Sequence, residues 1–435
     1  MSASSSDEPD FRPIQYLGSK WRILDQVNRA VESVSSGRRP LAVDLFAGSG
    51  VVARRLAHTQ PVLAADIQEY SRVLTSALLH PNLIDVRTLL SDTIGETEHR
   101  EPWLRDLLVW ELARVTSAER LVHLAADLEV GSLQLKKWHT ALPNEPILDA
   151  AHSGSAGSTD WTLLSHYGGV FFSYRQAADL DAIARVVRRI PPDQRDTPLA
   201  ALLSTASEVV SSVGGHFAQP IKPRNTSGQL KLTQLENLHR VRMKDVRKIF
   251  DDKLRRFSRL SRPVFEGHAV RSSFEDVVDN LPSDAGVVYA DPPYTREHYS
   301  RFYHVLETIA MGDQPGISTV RLGGEVGESQ GLYRVNRHQS PFSIVSQAPA
   351  AFDYLCARLA HREISLVLSY SPVPENEKPR ARVIGMEPLL RIVGSHFKHL
   401  QVIEATGMRH SKFNHSSKNA PAVDEAEVLI LARTS

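Results

Sequence analysis

The segment Asp291-Pro292-Pro293-Tyr294 concentrates the most chemistry in this 435-residue chain. It follows the apolar run Val287-Val288-Tyr289-Ala290, so the two prolines end a strand and remove two backbone donors, leaving carbonyl acceptors on a stiff loop. An aspartate and acceptor carbonyls beside an aromatic ring suit a planar group carrying an NH2, with the acceptors on its hydrogens and the ring stacked on its face. A plain Pro-Pro turn is the competing reading of the tetrapeptide alone. A second segment, Asp44-Leu45-Phe46-Ala47-Gly48-Ser49-Gly50, ends another apolar run and opens a helical pattern. Glycines there let the backbone turn tightly and approach a ligand, and a helix start offers free N–H groups. That suits a nucleotide-like cofactor, or an ordinary strand-to-helix turn; it is not a Walker loop, because no Gly-Lys-Ser/Thr follows. Asp66 closes the next strand 16 residues after Gly50, near where a nucleotide-binding α/β protein places the carboxylate that accepts from ribose hydroxyls. A helix N-cap is its alternative role.

The elements that must position these residues follow from periodicity. Trp21–Val34, Val51–His58 and Tyr70–Leu79 have helical apolar spacing, and residues 41–46 and 61–66 are short apolar runs. Strand, glycine turn, helix, strand, acid is the start of a doubly wound α/β sheet. From about Asn82 to Arg262 helical patterns take over: Trp103–Val115, Tyr174–Ile190, Leu199–Val213 and Leu235–Leu260, with the polar stretch His152–Thr159 expected as an exposed loop. Strand patterns return at residues 286–291, 364–370, 400–405 and 427–432. The expected organisation is a disordered tail at 1–10, a discontinuous catalytic domain at 11–84 and 263–435, and an inserted helical domain at 85–262. Residues 312–341 form a long Gly-rich loop carrying Arg334, Arg337 and His338, the length of segment that closes over a ligand.

Composition bounds the rest. Lys+Arg number 51 against 50 Asp+Glu, so the chain is neither uniformly basic nor acidic. The single cysteine, Cys356, excludes an intramolecular disulfide or a thiolate zinc site and reads as core in a helix-like run. No apolar run reaches the length of a membrane helix and the acidic, Ser-rich start is no signal peptide, so a cytoplasmic protein without a metal site is expected. The charge is unevenly spread. Lys222–Arg262 holds 13 Lys+Arg and four acids over 41 residues, a surplus of nine that leaves −8 on the other 394.

Four blocks in order, Tyr16-Leu17-Gly18-Ser19-Lys20, Asp44–Gly50, Asp66 and Asp291–Tyr294, make the sequence resemble the Dam-like (D12 class) adenine-specific DNA methyltransferases. In that class a target-recognition domain is inserted before the catalytic tetrapeptide, where the helical stretch lies here. The resemblance implies a Rossmann-like S-adenosylmethionine-dependent methyltransferase sheet with a mainly helical inserted target-recognition domain. It implies that Phe46, Ala47, Gly48, Ser49 and Gly50, preceded by Asp44, wrap the methionine portion of S-adenosylmethionine. Asp66 would take the ribose hydroxyls and Ile67 would pack on the adenine. Tyr16 and Lys20 match the N-terminal block, the Lys pairing with the cofactor carboxylate, and Phe274 stands where the family often places an adenine contact. Ser19 replaces a second glycine of many relatives.

Asp291, Pro292, Pro293 and Tyr294 would then be catalytic: Asp291 and the Pro292 carbonyl accept the hydrogens of an exocyclic amine, and Tyr294 stacks on a base flipped from duplex DNA. A leading Asp favours adenine N6 over cytosine N4; methylation of RNA, or a catalytically silent DNA-binding subunit, are the other readings. DNA contacts are expected from Lys222, Arg224, Arg240, Arg247, Lys248, Arg255 and Arg256 in the basic stretch and from Arg296 after the tetrapeptide. A cognate restriction or defence-system protein is the expected partner besides DNA.

Overall fold

The computed structural model describes residues 11–35, 39–82, 88–89, 91–92, 101–133, 145–296, 298–322, 325–372, 382–405 and 427–434; the expected tail and the boundary at residue 85 lie outside them. A seven-stranded sheet is built from β1 (Leu41–Asp44), β2 (Val62–Asp66), β3 (Gly267–Arg271), β4 (Ala285–Ala290) and, beyond a separate hairpin of β5 (Thr319–Leu322) and β6 (Glu325–Glu328), β7 (Ser365–Tyr370), β8 (His399–Ala405) and β9 (Glu427–Arg433). The order is β3-β2-β1-β4-β7-β9-β8, parallel except for β9, which runs antiparallel to both neighbours. β1 and β4 are buried at every position, as strands covered on both faces must be.

Helices α1 (Leu24–Val34), α2 (Val51–Leu56) and α3 (Glu69–Leu79) follow the first strands. Then come α4 (Pro102–Val115), α5 (Arg120–Val130), α6 (Pro146–Ser155), α7 (Thr162–Tyr167), α8 (Tyr174–Arg189), α9 (Asp196–Val209), α10 (Leu232–Arg242) and α11 (Val246–Ser258). The C-terminal part adds α12 (Phe274–Asp279), α13 (Tyr299–Met311), α14 (Ala348–His361) and α15 (Met386–His396). Strand alternation sorts the core. Ala42, Val62, Val287 and Val367 face α1 and α2, while Val43, Ala65, Val288 and Leu368 face α12, α14 and α15. No helix among the described residues is long and apolar enough to cross a membrane.

The helical segment stands on α3. Its α8 and α9 share one apolar core with Tyr70, Val73 and Leu74 of α3 and with Val305 and Leu306 of α13, and Arg72 of α3 grips Asp196 of α9 with two bonds of 2.8 and 2.9 Å. α11 ends where the sheet begins: Arg54 donates to the Ser261 carbonyl (3.0 Å), and the Phe265 N–H donates to Ala57 O (2.9 Å) just before β3.

Three sequence expectations change. The helix expected over Leu235–Leu260 is two, because the Asp245 side chain accepts from Lys248 N and caps a new helix. The loop expected over His152–Thr159 is largely the last turn of α6 followed by a 3-10 turn, Thr159–Trp161. Gly154 is there because a Cβ would lie 2.5 Å from the Trp103 ring, so the glycine marks a close helix contact and not a loop. Gly154→Ala, ordinarily favourable in a helix, is therefore expected to destabilise the protein by about 1–3 kcal/mol in urea unfolding. The long segment 312–341 is folded around the β5–β6 hairpin and a bridge between Ile317 and Arg334.

Candidate active site

The order of the sheet reverses between β1 and β4, and a pocket opens at the carboxyl ends of those strands, where α/β sheets place ligands. Its wall brings together the N-terminal block Tyr16–Lys20, Asp44–Ser49 after β1, Asp66 and Ile67 after β2, Phe274 at the start of α12, and Asp291–Tyr294 after β4. Every residue expected at the cofactor and catalytic sites lines it except Gly50, which acts from behind. Gly50 caps α2 in the left-handed region (φ 78°), with the Thr75 backbone 2.8 Å from where a Cβ would stand.

The turn is held by its neighbours. Gly48 (φ 54°) lets the Tyr16 ring come within 2.8 Å of a Cβ position, and Tyr16 stacks on Tyr303 at 5.0 Å and 12°. Asp66 does not cap α3, whose N-cap is Gln68. Its two oxygens accept from Gly48 N (2.9 Å) and Gln68 N (3.0 Å), an Asx turn that also ties the glycine turn to β2, and a carboxylate retains further lone pairs facing the pocket. Phe46, Phe274 and Phe342 pack edge to face or tilted, with centroids 4.8 to 6.2 Å apart, and Phe46 and Phe274 line the pocket together with Ile67.

Asp44 is the least satisfied group. It is buried to 1% exposure, and neither carboxylate oxygen has a partner with hydrogen-bond geometry; the amides of Phe46 and Ala53 come nearest. Burial, then the Asp291 and Asp66 charges, push its carboxyl up to about 8. Three carboxylates around one cavity, one of them orphaned, suit a cationic ligand.

Lys20 is not left free for a cofactor carboxylate. Its ammonium, 3% exposed, contacts Asp291 Oδ2 (2.8 Å), Glu427 Oε1 (2.7 Å) and Gly18 O (3.1 Å), which uses its three hydrogens. Ser369 donates to the same Glu427 oxygen. Burial pushes Asp291 up to about 6, with Lys20 opposing and Glu427 adding to the rise. Glu427 escaped the sequence reading; its signal was one acid opening the otherwise apolar run of residues 427–432. Tyr294 is 6% exposed, beside Tyr370 (5.3 Å), with the Arg382 guanidinium 4.9 Å and the Lys20 ammonium 5.9 Å from its centroid. Cys356 is buried, and burial pushes its thiol up to about 12, which removes it as a nucleophile.

Most of the residues expected to touch DNA already have partners, and four of the eight, Arg247, Lys248, Arg255 and Arg256, share α11. Arg247 pairs with Asp179 (3.2 Å), Arg255 with Asp251 (2.7 Å), Arg256 with Asp252 (3.1 Å) and Arg224 with Glu129 (2.7 Å); Arg240 bonds Asn237. Glu208 takes Lys244 and Lys253. Arg255 and Arg256 stand in the last turn of α11 and are not among the residues that line the pocket. Three acids outside the run, Glu129, Asp179 and Glu208, lower its surplus from nine to six, so the basic arm is partly paired. Lys222 stands on the segment before α10 and Lys248 on α11, and exposed Arg296 alone of the eight follows the catalytic loop.

The family model for D12 class N6 adenine-specific DNA methyltransferases matches residues 16–101 and 239–341, leaving unmatched most of the helical segment. The Type II methyltransferase M.FokI of Planomicrobium okeanokoites is 20% identical over 372 residues, covering 82% of this chain and 44% of that protein. Modification methylase LlaI of Lactococcus lactis subsp. lactis is 38% identical over 144 residues, covering 33% of this chain and 20% of that protein. The chain therefore spans less than half the length of either relative.

Proposed function

From its resemblance to the D12 class N6 adenine-specific DNA methyltransferases, we propose that this chain methylates adenine N6 in duplex DNA with S-adenosylmethionine as donor. The observation that carries the proposal is convergence: Asp291–Tyr294, Gly48, Asp66 and the orphaned Asp44 line one pocket at the switch point of the sheet. Asp44 would hold the ammonium of the cofactor, Asp66 its ribose hydroxyls, and Ile67 with Phe274 its adenine. S-adenosylmethionine, when bound, supplies a methyl group on a sulfonium, so transfer to an amine is a direct displacement. An exocyclic amine in a base pair cannot reach this recessed pocket, so the nucleotide is expected to be extruded from the duplex. Asp291 and the Pro292 carbonyl would accept the two amine hydrogens and oppose the charge that develops on nitrogen. The names of the relatives suggest a place in a restriction–modification system, with a cognate nuclease as partner. The helical segment, unmatched over residues 102–238, is proposed as the target-recognition domain.

Incubation of the protein with unmethylated duplex DNA and labelled S-adenosylmethionine, followed by nucleoside analysis, tests this. N6-methyladenine is expected. N4-methylcytosine would move the assignment to the other amine, and methyl transfer to RNA alone would remove DNA as substrate.

A proton accompanies the cofactor in this scheme. The Asp44 carboxyl, pushed up to about 8, is largely neutral at pH 7 in the ligand-free protein and must ionise to meet an ammonium. Affinity is therefore expected to rise with pH by at most tenfold per unit up to about 8, and to turn down above that as the ligand's own ammonium loses its proton. Calorimetry in buffers of different ionisation enthalpy is expected to show proton release near pH 7 that Asp44→Asn abolishes. Without ligand, the sign for stability is the reverse of a salt-bridged acid: the folded state holds the extra proton, so this group's contribution falls as pH rises from about 4 to about 8.

A further inference from the structure

We infer that Arg301 and Arg337, both held against the ring of Tyr333 and each next in the chain to residues that line the pocket, form a clamp for backbone phosphates flanking the extruded nucleotide. The inference rests on the DNA reading above but concerns residues outside the cofactor and catalytic sets. The Arg301 guanidinium lies 5.6 Å and that of Arg337 4.6 Å from the Tyr333 ring centroid. Their position is set by the pocket itself: His298, Tyr299 and Ser300 line it immediately before Arg301, and His338 and Gln339 line it immediately after Arg337.

The platform beneath them is built rather than draped. Tyr333 OH donates to Ala218 O (2.5 Å), and buried His304 packs edge-on beneath the ring at 5.3 Å. Arg334 is tied to Asp313 (2.6 Å), and Arg337 Nε donates to the Arg334 carbonyl (3.1 Å). Leu332 (φ 52°) and Asn336 (φ 57°) flank the platform in the left-handed region, a strained backbone that only surrounding contacts can hold, and one that clusters at ligand clamps.

Among the described residues, the platform presents positive charge without a counter-ion. Among the described residues, no carboxylate comes within ion-pair distance of Arg301 or Arg337, and Arg337 Nη1 is buried with no partner. Arg247, Arg255 and Arg256 of α11 differ in that each has an acid within ion-pair distance. Two like charges fixed around one ring repel each other and attract an anion, and guanidinium forks match phosphate oxygens. Arg296 is a further exposed cation on the loop between Tyr294 and α13. A polyanion threading a nucleotide into the pocket would bring its backbone past the residues that flank Arg301 and Arg337.

The test is fluorescence anisotropy of a labelled unmethylated duplex across about 50 to 200 mM salt, on wild type, Arg301→Ala with Arg337→Ala, and Arg255→Glu with Arg256→Glu. The first pair is expected to weaken binding at least about tenfold and make the log–log salt slope shallower by about two, roughly 0.9 for each phosphate no longer neutralised. Cofactor affinity by calorimetry is expected to stay as in wild type, and the α11 pair to change DNA affinity less than about threefold. Arg301→Glu alone, on an exposed helix position, keeps the test valid if loss of Arg337 disturbs folding. Wild-type DNA affinity and slope in Arg301→Glu or in the alanine pair would overturn the clamp even if the enzyme methylates DNA. A wild-type protein that binds DNA through these arginines yet methylates none would instead overturn the reading of function and leave the clamp.

Discussion

Asp291→Ala is expected to reduce single-turnover methyl transfer to DNA by about a thousandfold or more, roughly 4 kcal/mol of transition-state stabilisation, with little change in cofactor affinity. The size follows from the role proposed for the carboxylate and from where it sits. The adenine amine is a poor nucleophile because its lone pair is delocalised into the ring, and nitrogen becomes positive as the new bond forms. A fixed negative acceptor opposes that charge in a recessed pocket, where it acts more strongly than in water. Lys20 holds Oδ2 at 2.8 Å and so leaves Oδ1 for the amine. The fold is expected to survive, because Lys20 keeps Glu427 at 2.7 Å and remains a neutral pair. A wild-type rate in this variant, with an unchanged melting temperature, would remove Asp291 from the chemistry.

Much of this site was legible because its chemistry is local in sequence. A tetrapeptide, a seven-residue glycine turn and a single acid each carry their own reason to sit at a strand end, and the sheet brings three strand ends together. The elements themselves were legible wherever one face is apolar: β1, β2, β4, β7 and β9 lie within two residues of the expected spans. What escaped depends on partners far away in the chain. Nothing near Lys20 indicates that its counter-ions are Asp291 and Glu427, hundreds of residues later. The surplus of basic residues over Lys222–Arg262 looked free because Glu129, Asp179 and Glu208, which take Arg224, Arg247 and two lysines, lie outside the run. His152–Ser155 reads as a flexible stretch until Trp103 is seen against Gly154. Local chemistry survives in a one-dimensional reading; neutralisation and close packing do not.

The buried trio of Lys20, Asp291 and Glu427 gives the second large effect, and its sign separates electrostatics from mere disruption. Asp291 must be ionised to accept from the amine, so activity is expected to fall on the acid side as pH drops through about 6. Lys20 lowers that value and Glu427 raises it. Glu427→Gln removes the like charge while keeping the shape, so Asp291 ionises more easily and the acid limb of kcat/KM is expected to move down by about one pH unit. Lys20→Met removes the opposite charge and leaves two carboxylates facing each other across a dry gap. The acid limb is then expected to move up by about one to three units, with a loss of about 3–5 kcal/mol in stability. At pH 7 the lysine variant would be mostly protonated at Asp291 and correspondingly slow, recovering part of its rate toward pH 8–9, where the glutamine variant gains nothing. A structural role alone would lower both profiles without moving them, or move both the same way. Opposite displacements of the acid limb, read on folded protein at saturating cofactor, are what the contacts of 2.8 and 2.7 Å around one ammonium require.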